Sequence, residues 1–141
     1  MNNSATAGQT AHLTSILEAA HALEDRLEAT LGQAGLSSAK FSVLSELVRS
    51  PKPLGLSELA SRLSCVRSNM TQLVDRLESD GLVRRVACPS DRRAINAQIT
   101  EDGVKRQADG AQRVDELERE LAAMFSDTEG AELHRMMKLL R

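Results

Sequence analysis

Two short segments of the sequence carry side chains that can bind an anionic polymer. The first presents arginine, hydroxyl and amide side chains at helical spacing: Arg67, Ser68, Asn69, Thr71, Gln72 and Arg76. The second, "PSDRRA" at 89–94, places Asp91 directly before Arg92 and Arg93. Arginine binds phosphates and guanine through two parallel hydrogen bonds, while asparagine and glutamine can bind adenine. These residue types are the ones that contact nucleic acid.

Positive charge is concentrated around these segments, although the net charge of the chain is −2. Residues 62–93 contain seven arginines and four acidic residues, whereas the rest contains 11 lysines or arginines and 16 acidic residues. This surplus is modest and is weak evidence by itself. The chain has two phenylalanines and no tryptophan or tyrosine, so it lacks the aromatic platforms that bind single strands. Nucleic-acid binding would therefore use the grooves and phosphates of a duplex.

Other functional classes find no support in the residues. The sequence contains no phosphate-binding glycine loop, nucleophile elbow or zinc-protease motif, so we expect no enzyme. The histidines His12, His21 and His134 are scattered, and Cys65 and Cys88 lack the spacing of zinc ligands, so we expect no metal and no cofactor. The N-terminus has no secretory pattern and no apolar run approaches 18 residues, which predicts a cytoplasmic protein without a membrane partner.

A helix must position the first segment, and apolar spacing predicts it over residues 66–80. Its apolar face is formed by Met70, Leu73, Val74 and Leu77, and Gly81 ends it. A short helix with Ser57 as its N-cap precedes it, after a tight turn. Two strands, 82–87 and 94–100, follow it and are joined by the second segment. A helix-turn-helix followed by a hairpin is a winged helix.

The remaining chain is predicted to be helical and to complete one domain over residues 11–141, after a disordered tail at 1–10. Residues 37–100, with Ser37 capping the first helix, form the winged-helix lobe. Residues 11–34 and 101–141 form long helices whose apolar stripes need a partner surface, most simply a second copy of the chain. The expected fold class is mainly α with a small β-hairpin wing and two dimerisation regions.

Several motifs in order resemble the MarR family of bacterial transcription regulators. They are "LSELASRLSCVRSNMTQLVDRLESDGLVRR", "PSDRRA" and "ITEDG", and the resemblance is strong over about residues 37–105. It implies a homodimer that binds a pseudo-palindromic double-stranded DNA operator, with the helix at 66–80 in the major groove. This sequence departs from the family at Val66, where a serine or threonine usually caps that helix, and at Gln72, where many relatives carry arginine.

The resemblance also implies roles for individual residues. Arg93 corresponds to the arginine that the family inserts into the minor groove. An ion pair with Asp91 would hold its guanidinium, and Arg92 would contact a phosphate. Ser37 and Ser57, the predicted N-caps, complete the set of expected DNA contacts. The family commonly binds a small-molecule effector between its two regions, and His12, Ile16, Phe41 and Leu44 could line that pocket here.

Alternatives remain beside a repressor that a ligand releases from DNA. Oxidation of Cys65 or Cys88 could switch DNA binding instead, with Cys65 expected to be buried and Cys88 to be activated by nearby arginines. A winged helix can also serve as a protein-interaction module. Finally, Arg84 and Arg85 are adjacent on a strand and must point to opposite faces. We expect one of them to pair with a carboxylate such as Glu78 or Asp80.

Overall fold

The computed structural model describes the backbone of residues 4–141 and the side chains of residues 12–141. Six helices and three strands follow one another in this part of the chain. They are α1 (Ser4–Gly32), α2 (Ser38–Arg49), β1 (Leu54–Gly55), α3 (Leu56–Arg62), α4 (Arg67–Ser79), β2 (Val83–Cys88), β3 (Asp91–Ile99), α5 (Glu101–Ala123) and α6 (Asp127–Leu139). The helix-turn-helix and the hairpin that the sequence predicts are both present.

Helix α1 starts earlier than the sequence suggested. We expected a disordered tail at 1–10, but α1 begins at Ser4, and residues 1–3 lie outside the described part. The alanines and the glutamine of this segment are residues that favour a helix. At its other end, the chain turns through Gly35 at φ +69°. Ser37 then caps α2 as predicted, because its side chain accepts a hydrogen bond from the Lys40 amide at 3.2 Å.

The three strands form one antiparallel sheet with β3 in the centre. The sequence did not reveal β1, which pairs Leu54 with Ala97 and Gly55 with Asn96, because two residues carry no periodic signal. Strands β2 and β3 pair regularly from Val83–Ile99 to Ala87–Ile95, and the register then shifts before the last pair. We call β2, β3 and the turn between them the wing.

Most of the buried core lies inside the predicted lobe of residues 37–100, and Leu31, Ala34 and Leu36, which precede the lobe, complete it. In the described part of the chain, every member of the core cluster falls between Leu31 and Ala97. Helix α5 packs against this core through residues seven positions apart, Gly103, Gly110 and Leu117. A Cβ atom at Gly110 would lie 3.0 Å from the Phe41 ring. The two glycines therefore let α5 approach the lobe more closely than a larger residue would.

The outer parts of α1 and the whole of α6 keep their apolar side chains exposed. On α1 these are Leu13, Ile16, Leu17 and Leu23, and at the C-terminal end they are Met124, Phe125, Leu133, Met136, Met137, Leu139 and Leu140. A capping box at Ser126 and Glu129 starts α6, in agreement with the sequence. Apolar exposure of this extent on one side of a chain indicates an interaction surface.

Candidate nucleic-acid interface

Helix α4 has one buried and one exposed face, as its sequence predicts. Met70, Val74 and Leu77 are fully buried in the core. The exposed side chains on the opposite face are Arg67, Ser68, Asn69, Gln72 and Arg76, and we call these five the reading face. Thr71, expected to belong to it, is half-buried, and its hydroxyl donates to the Arg67 carbonyl at 3.1 Å. Donors and acceptors of this kind match the edges of bases in a major groove.

Helix α4 begins without the serine or threonine cap that the family usually has at the position of Val66. Val66 is the N-cap, and no side chain caps the helix. Ser64 adopts the left-handed conformation at φ 50° in the turn. The Cys65 amide donates to the Ala60 carbonyl at 2.8 Å and closes that turn. Arg67 is therefore the first residue of α4, where unpaired backbone amides favour an anion.

Helix α3 corrects the prediction for Ser57. Its N-cap is Gly55 and its first residue is Leu56, so Ser57 lies inside the helix. Pairing of β1 with β3 holds Gly55 in extended geometry and starts α3 before the serine. Ser57 is nevertheless exposed and lines an open cleft of about 400 Å³ together with Arg67, Asp91 and Arg93. The cleft joins α3, α4 and the wing on one side of the molecule.

The tip of the wing differs from the sequence prediction in how Asp91 acts. An Asp91 carboxylate oxygen accepts the backbone N–H of Arg93 at 2.9 Å. Among the described side chains, the Asp91 carboxylate and the Arg93 guanidinium form no ion pair, so that prediction is wrong. A short aspartate side chain reaches the amide two residues ahead more readily than the end of a long arginine. Asp91 shapes the backbone and leaves the exposed guanidinium of Arg93 available.

Three residues of β3 at this tip have no partner on β2. Cys88 pairs with Asp91 while Ala87 pairs with Ile95, so residues 92–94 bulge from the ladder. Arg92 and Arg93 are both exposed within this bulge. Bulges at sheet edges redirect side chains. The bulge presents two guanidiniums beyond the end of the regular hairpin.

The two arginines at the base of the wing point apart, as predicted. Arg84 donates to the Gln98 side chain at 2.8 Å. Arg85 donates to Asp75 and Glu78 of α4, which confirms the pairing with Glu78, whereas Asp80 pairs with Lys40 at 2.6 Å. Partial burial opposes the charge of Arg85, but hydrogen bonds to both carboxylates outweigh it and raise its pKa.

The cysteines lie in different environments. Cys65 is half-buried against the core, and its Sγ lies 3.4 Å from the Val66 carbonyl. Cys88 is at the end of β2, where its Sγ lies 3.2 Å from the Ser90 hydroxyl. Hydrogen bonding by Ser90 lowers the pKa of the Cys88 thiol below its ordinary value. We expected nearby arginines to activate this thiol, but a hydrogen bond within the turn lowers its pKa instead.

The predicted effector-pocket residues are not gathered in the single chain. Leu44 is fully buried in the core, and Phe41 is half-buried beside Gly110. His12 and Ile16 are exposed on α1. A ligand could reach Leu44 only after the core opens. Any pocket that includes all four would need surfaces beyond one protomer.

Among the residues that the structure describes, no three histidine, cysteine or acidic side chains are arranged to hold a metal ion. None of the described helices is both long and apolar enough to span a membrane.

The helix-turn-helix, the exposed face of α4 and the arginine-bearing wing define a winged-helix protein of the DNA-binding class. The sequence profile of the MarR family matches residues 36–95. The chain is 30% identical over 117 residues to the transcriptional regulator PecS of Dickeya dadantii. The aligned residues make up 82% of this chain and 70% of PecS. This chain belongs to the MarR family.

Other similar proteins are also named as transcriptional regulators. The uncharacterised regulator YkoM of Bacillus subtilis is 36% identical over 69 residues, 49% of this chain and 44% of YkoM. Sco3205, a MarR family regulator from Streptomyces coelicolor whose structure was solved in complex with DNA, superposes with a TM-score of 0.81. It is 31% identical over 95% of this chain and 86% of its own. The chain is thus a DNA-binding transcription regulator and not an enzyme, which decides against a protein-interaction module.

Proposed function

We propose that this protein is a ligand-responsive repressor that binds a pseudo-palindromic operator as a homodimer. The observation that carries the proposal is the cleft at which α3, α4 and the wing meet, with Arg67 and Arg93 on its walls. Arg67 at the start of α4 and Arg93 in the bulge of the wing line this one cleft. Two free cysteines and DNA binding fit the reducing cytoplasm, where we place the protein.

The reading face would enter the major groove. Arg67, Ser68, Asn69 and Gln72 lie on the first two turns of α4, the part of such a helix that contacts base edges. Gln72 favours adenine at a position where arginine would favour guanine. Arg76, one turn further along, would contact the backbone, and Thr71 would contribute its methyl group.

The wing would reach the neighbouring minor groove. A narrow minor groove concentrates negative potential and attracts an inserted arginine. We assign this role to Arg93, whose backbone Asp91 fixes, and assign Arg92 to a phosphate. Ser57, on the wall of the cleft, and Ser37, at the start of α2, would add hydroxyl contacts to the backbone.

The homodimer would form through the exposed apolar faces of α1 and α6. A pseudo-palindromic operator requires the two copies of α4 to be spaced by about 34 Å, one turn of DNA. An effector bound where the lobe meets these helices, in a pocket that the dimer and not the single chain would assemble from His12, Ile16, Phe41 and Leu44, would alter that spacing. A coupling of about 1–3 kcal/mol would lower operator occupancy between several-fold and a hundredfold.

A salt titration of operator binding tests the proposal. DNA from the promoter region of its own gene should bind, and with four or five phosphate contacts per subunit the logarithm of affinity should fall against log salt with a slope of about −7 to −9. Arg93→Ala should weaken binding by at least about tenfold. Arg119→Ala, at an exposed position near the far end of α5, removes the same charge away from the reading face and the wing and should bind normally. If Arg93→Ala binds the operator with the affinity of wild type, then the wing contact is wrong. If the promoter DNA contains no specific site, then the proposed operator-binding repressor is wrong.

A thiol switch is the second candidate, and the lowered pKa of Cys88 favours it over Cys65. Oxidation at the end of β2 would change the turn that carries Arg92 and Arg93. Peroxide should then release wild-type protein from DNA but leave Cys88→Ser bound. Cys65→Ser serves as the matched control and should be released like wild type. If peroxide releases Cys88→Ser and Cys65→Ser equally, then Cys88 has no regulatory role.

A further inference from the structure

Helix α4 carries two carboxylates beside its reading face. Asp75 follows Gln72 by three residues and Ser68 by seven, so all three lie along the same side of α4. Glu78 is three residues further along. Phosphates in front of this helix would repel both carboxylates. A DNA-binding helix with this sequence needs a cation that compensates them without occupying the groove.

Arg85 supplies that cation from the wing. One terminal nitrogen of its guanidinium donates to Asp75 and the other donates to Glu78. Its backbone lies opposite Ala97 of the central strand, which is fully buried. The side chain of Arg85 is only 26% exposed. Arg85 therefore joins the part of β2 that lies against the central strand to two successive turns of α4.

We infer that Arg85 is a positioning residue for DNA recognition, which sets the wing against α4 through Asp75 and Glu78 and does not itself touch DNA. The inference rests on the proposed interface, in which α4 and Arg93 enter neighbouring grooves. Both grooves can be read together only if the distance and angle between α4 and the wing are fixed. A planar guanidinium bound at two points fixes an angle, whereas a single ammonium contact does not.

The neighbouring arginine provides a matched comparison. Arg84 precedes Arg85 on the same strand, but it is exposed and binds Gln98 within the sheet. It makes no contact with α4 among the described ion pairs. Replacing either residue with glutamine removes one positive charge from the wing. Only replacement of Arg85 removes the ion pairs between the wing and α4.

The experiment compares Arg85→Lys, Arg85→Gln and Arg84→Gln for binding to the operator and to random-sequence DNA over a range of salt. Arg85→Lys keeps the charge and loses the two-point contact. It should lower operator affinity by about fivefold or more while random-sequence affinity stays within about twofold of wild type. Arg85→Gln should lose at least about tenfold on the operator with an unchanged salt slope. Arg84→Gln should lose less than about threefold on both DNAs.

Three results would overturn the inference. A salt slope that becomes shallower by about one unit in Arg85→Gln, with equal losses on both DNAs, would make Arg85 a direct phosphate ligand. Operator affinity within twofold of wild type in Arg85→Lys would show that charge alone suffices. An equal loss in Arg84→Gln would remove the role of α4. Far-ultraviolet circular dichroism and thermal melting check folding of each variant.

The Arg93→Ala variant separates this inference from the proposed interface. If Arg93→Ala binds the operator like wild type, then the wing contact itself is wrong. If Arg93→Ala loses affinity and Arg85→Lys does not, then only the positioning role fails.

Discussion

The lobe and the terminal helices satisfy their apolar residues in different ways. In the lobe, Leu59 and Leu77 are 0% exposed. On α1 and α6, Leu17 is 57% exposed and Leu139 is 73% exposed. The lobe therefore holds its own core within one chain, whereas the terminal helices leave comparable residues in water. Burial of leucine is worth about 1.5–3 kcal/mol per side chain, so the second arrangement favours association with another surface.

The difference assigns the stability of the single chain to the lobe, and we expect the terminal helices to control the proposed assembly. Substitutions in the lobe should change unfolding independently of protein concentration. Substitutions on α6 should change assembly and make operator binding depend on concentration. Three substitution experiments test this division, and a fourth measurement concerns the wing. The largest effect is expected at the terminal helices.

The double variant Leu133→Asp, Met136→Asp should dissociate the proposed homodimer. Both side chains are partly exposed on α6, and two carboxylates there would have to be buried against the partner. Loss of bivalent binding should lower operator affinity by about a hundred- to ten-thousand-fold. Sedimentation equilibrium reports the monomer, and Ser68→Asp is the control, since it should weaken DNA binding but stay dimeric. A double variant that remains a dimer would place the interface elsewhere.

Leu77→Ala should destabilise the lobe by about 2–5 kcal/mol, because Leu77 is fully buried and its removal leaves a cavity. Chemical denaturation at two protein concentrations measures the loss, and the change should be the same at both. Leu139→Ala, at an exposed position, should cost far less. The division between regions fails if the Leu139 variant is as unstable as the Leu77 variant.

Thr100→Val should weaken the joint between the two regions. The Thr100 hydroxyl donates to the Gly81 carbonyl at 2.7 Å and accepts from the Gly103 amide at 3.0 Å. Removing this cap should lower the free energy of unfolding by about 0.5–2 kcal/mol. Thr100→Ser retains the hydroxyl and should recover most of that loss in thermal melts. Equal stability of both variants would mean that the hydroxyl contributes nothing at the joint.

The smallest effect concerns thiol reactivity. The lowered pKa of Cys88 increases its thiolate fraction at neutral pH, so it should react with iodoacetamide several-fold faster than Cys65, although both cysteines are half-buried. The rate should fall as the pH drops and the thiolate is protonated. Ser90→Ala should raise the pKa and slow the reaction, as mass spectrometry of the two peptides can measure. Faster labelling of Cys65 would contradict this assignment.

Helices with a buried face were predictable from sequence because their signal is periodic. The spacing of Met70, Val74 and Leu77 predicted α4 and its exposed face, and Ser37 predicted the start of α2. Motif order predicted the family, which the comparisons confirm. These features depend on residues close in sequence.

The errors concern features that tertiary pairing decides. Gly55 starts α3 because β1 pairs with β3, so Ser57 lost its predicted capping role. Asp91 binds a backbone amide because of the turn and bulge, and the sequence showed only a carboxylate near two guanidiniums. The contact of Arg85 with Asp75 joins residues ten apart on different elements. Local spacing contains no information on which of several nearby charges will meet.

The close contact at Gly103 couples a tilt of α5 to a displacement of the lobe. A Cβ atom at this position would lie 2.1 Å from the Leu82 carbonyl oxygen, so the end of α5 and the chain leaving α4 cannot slide past each other. Helix α5 has 23 residues, which gives a length of about 34 Å. A tilt of about 5° at its far end would therefore displace the lobe by roughly 3 Å. That distance is close to the rise of one base step, about 3.4 Å.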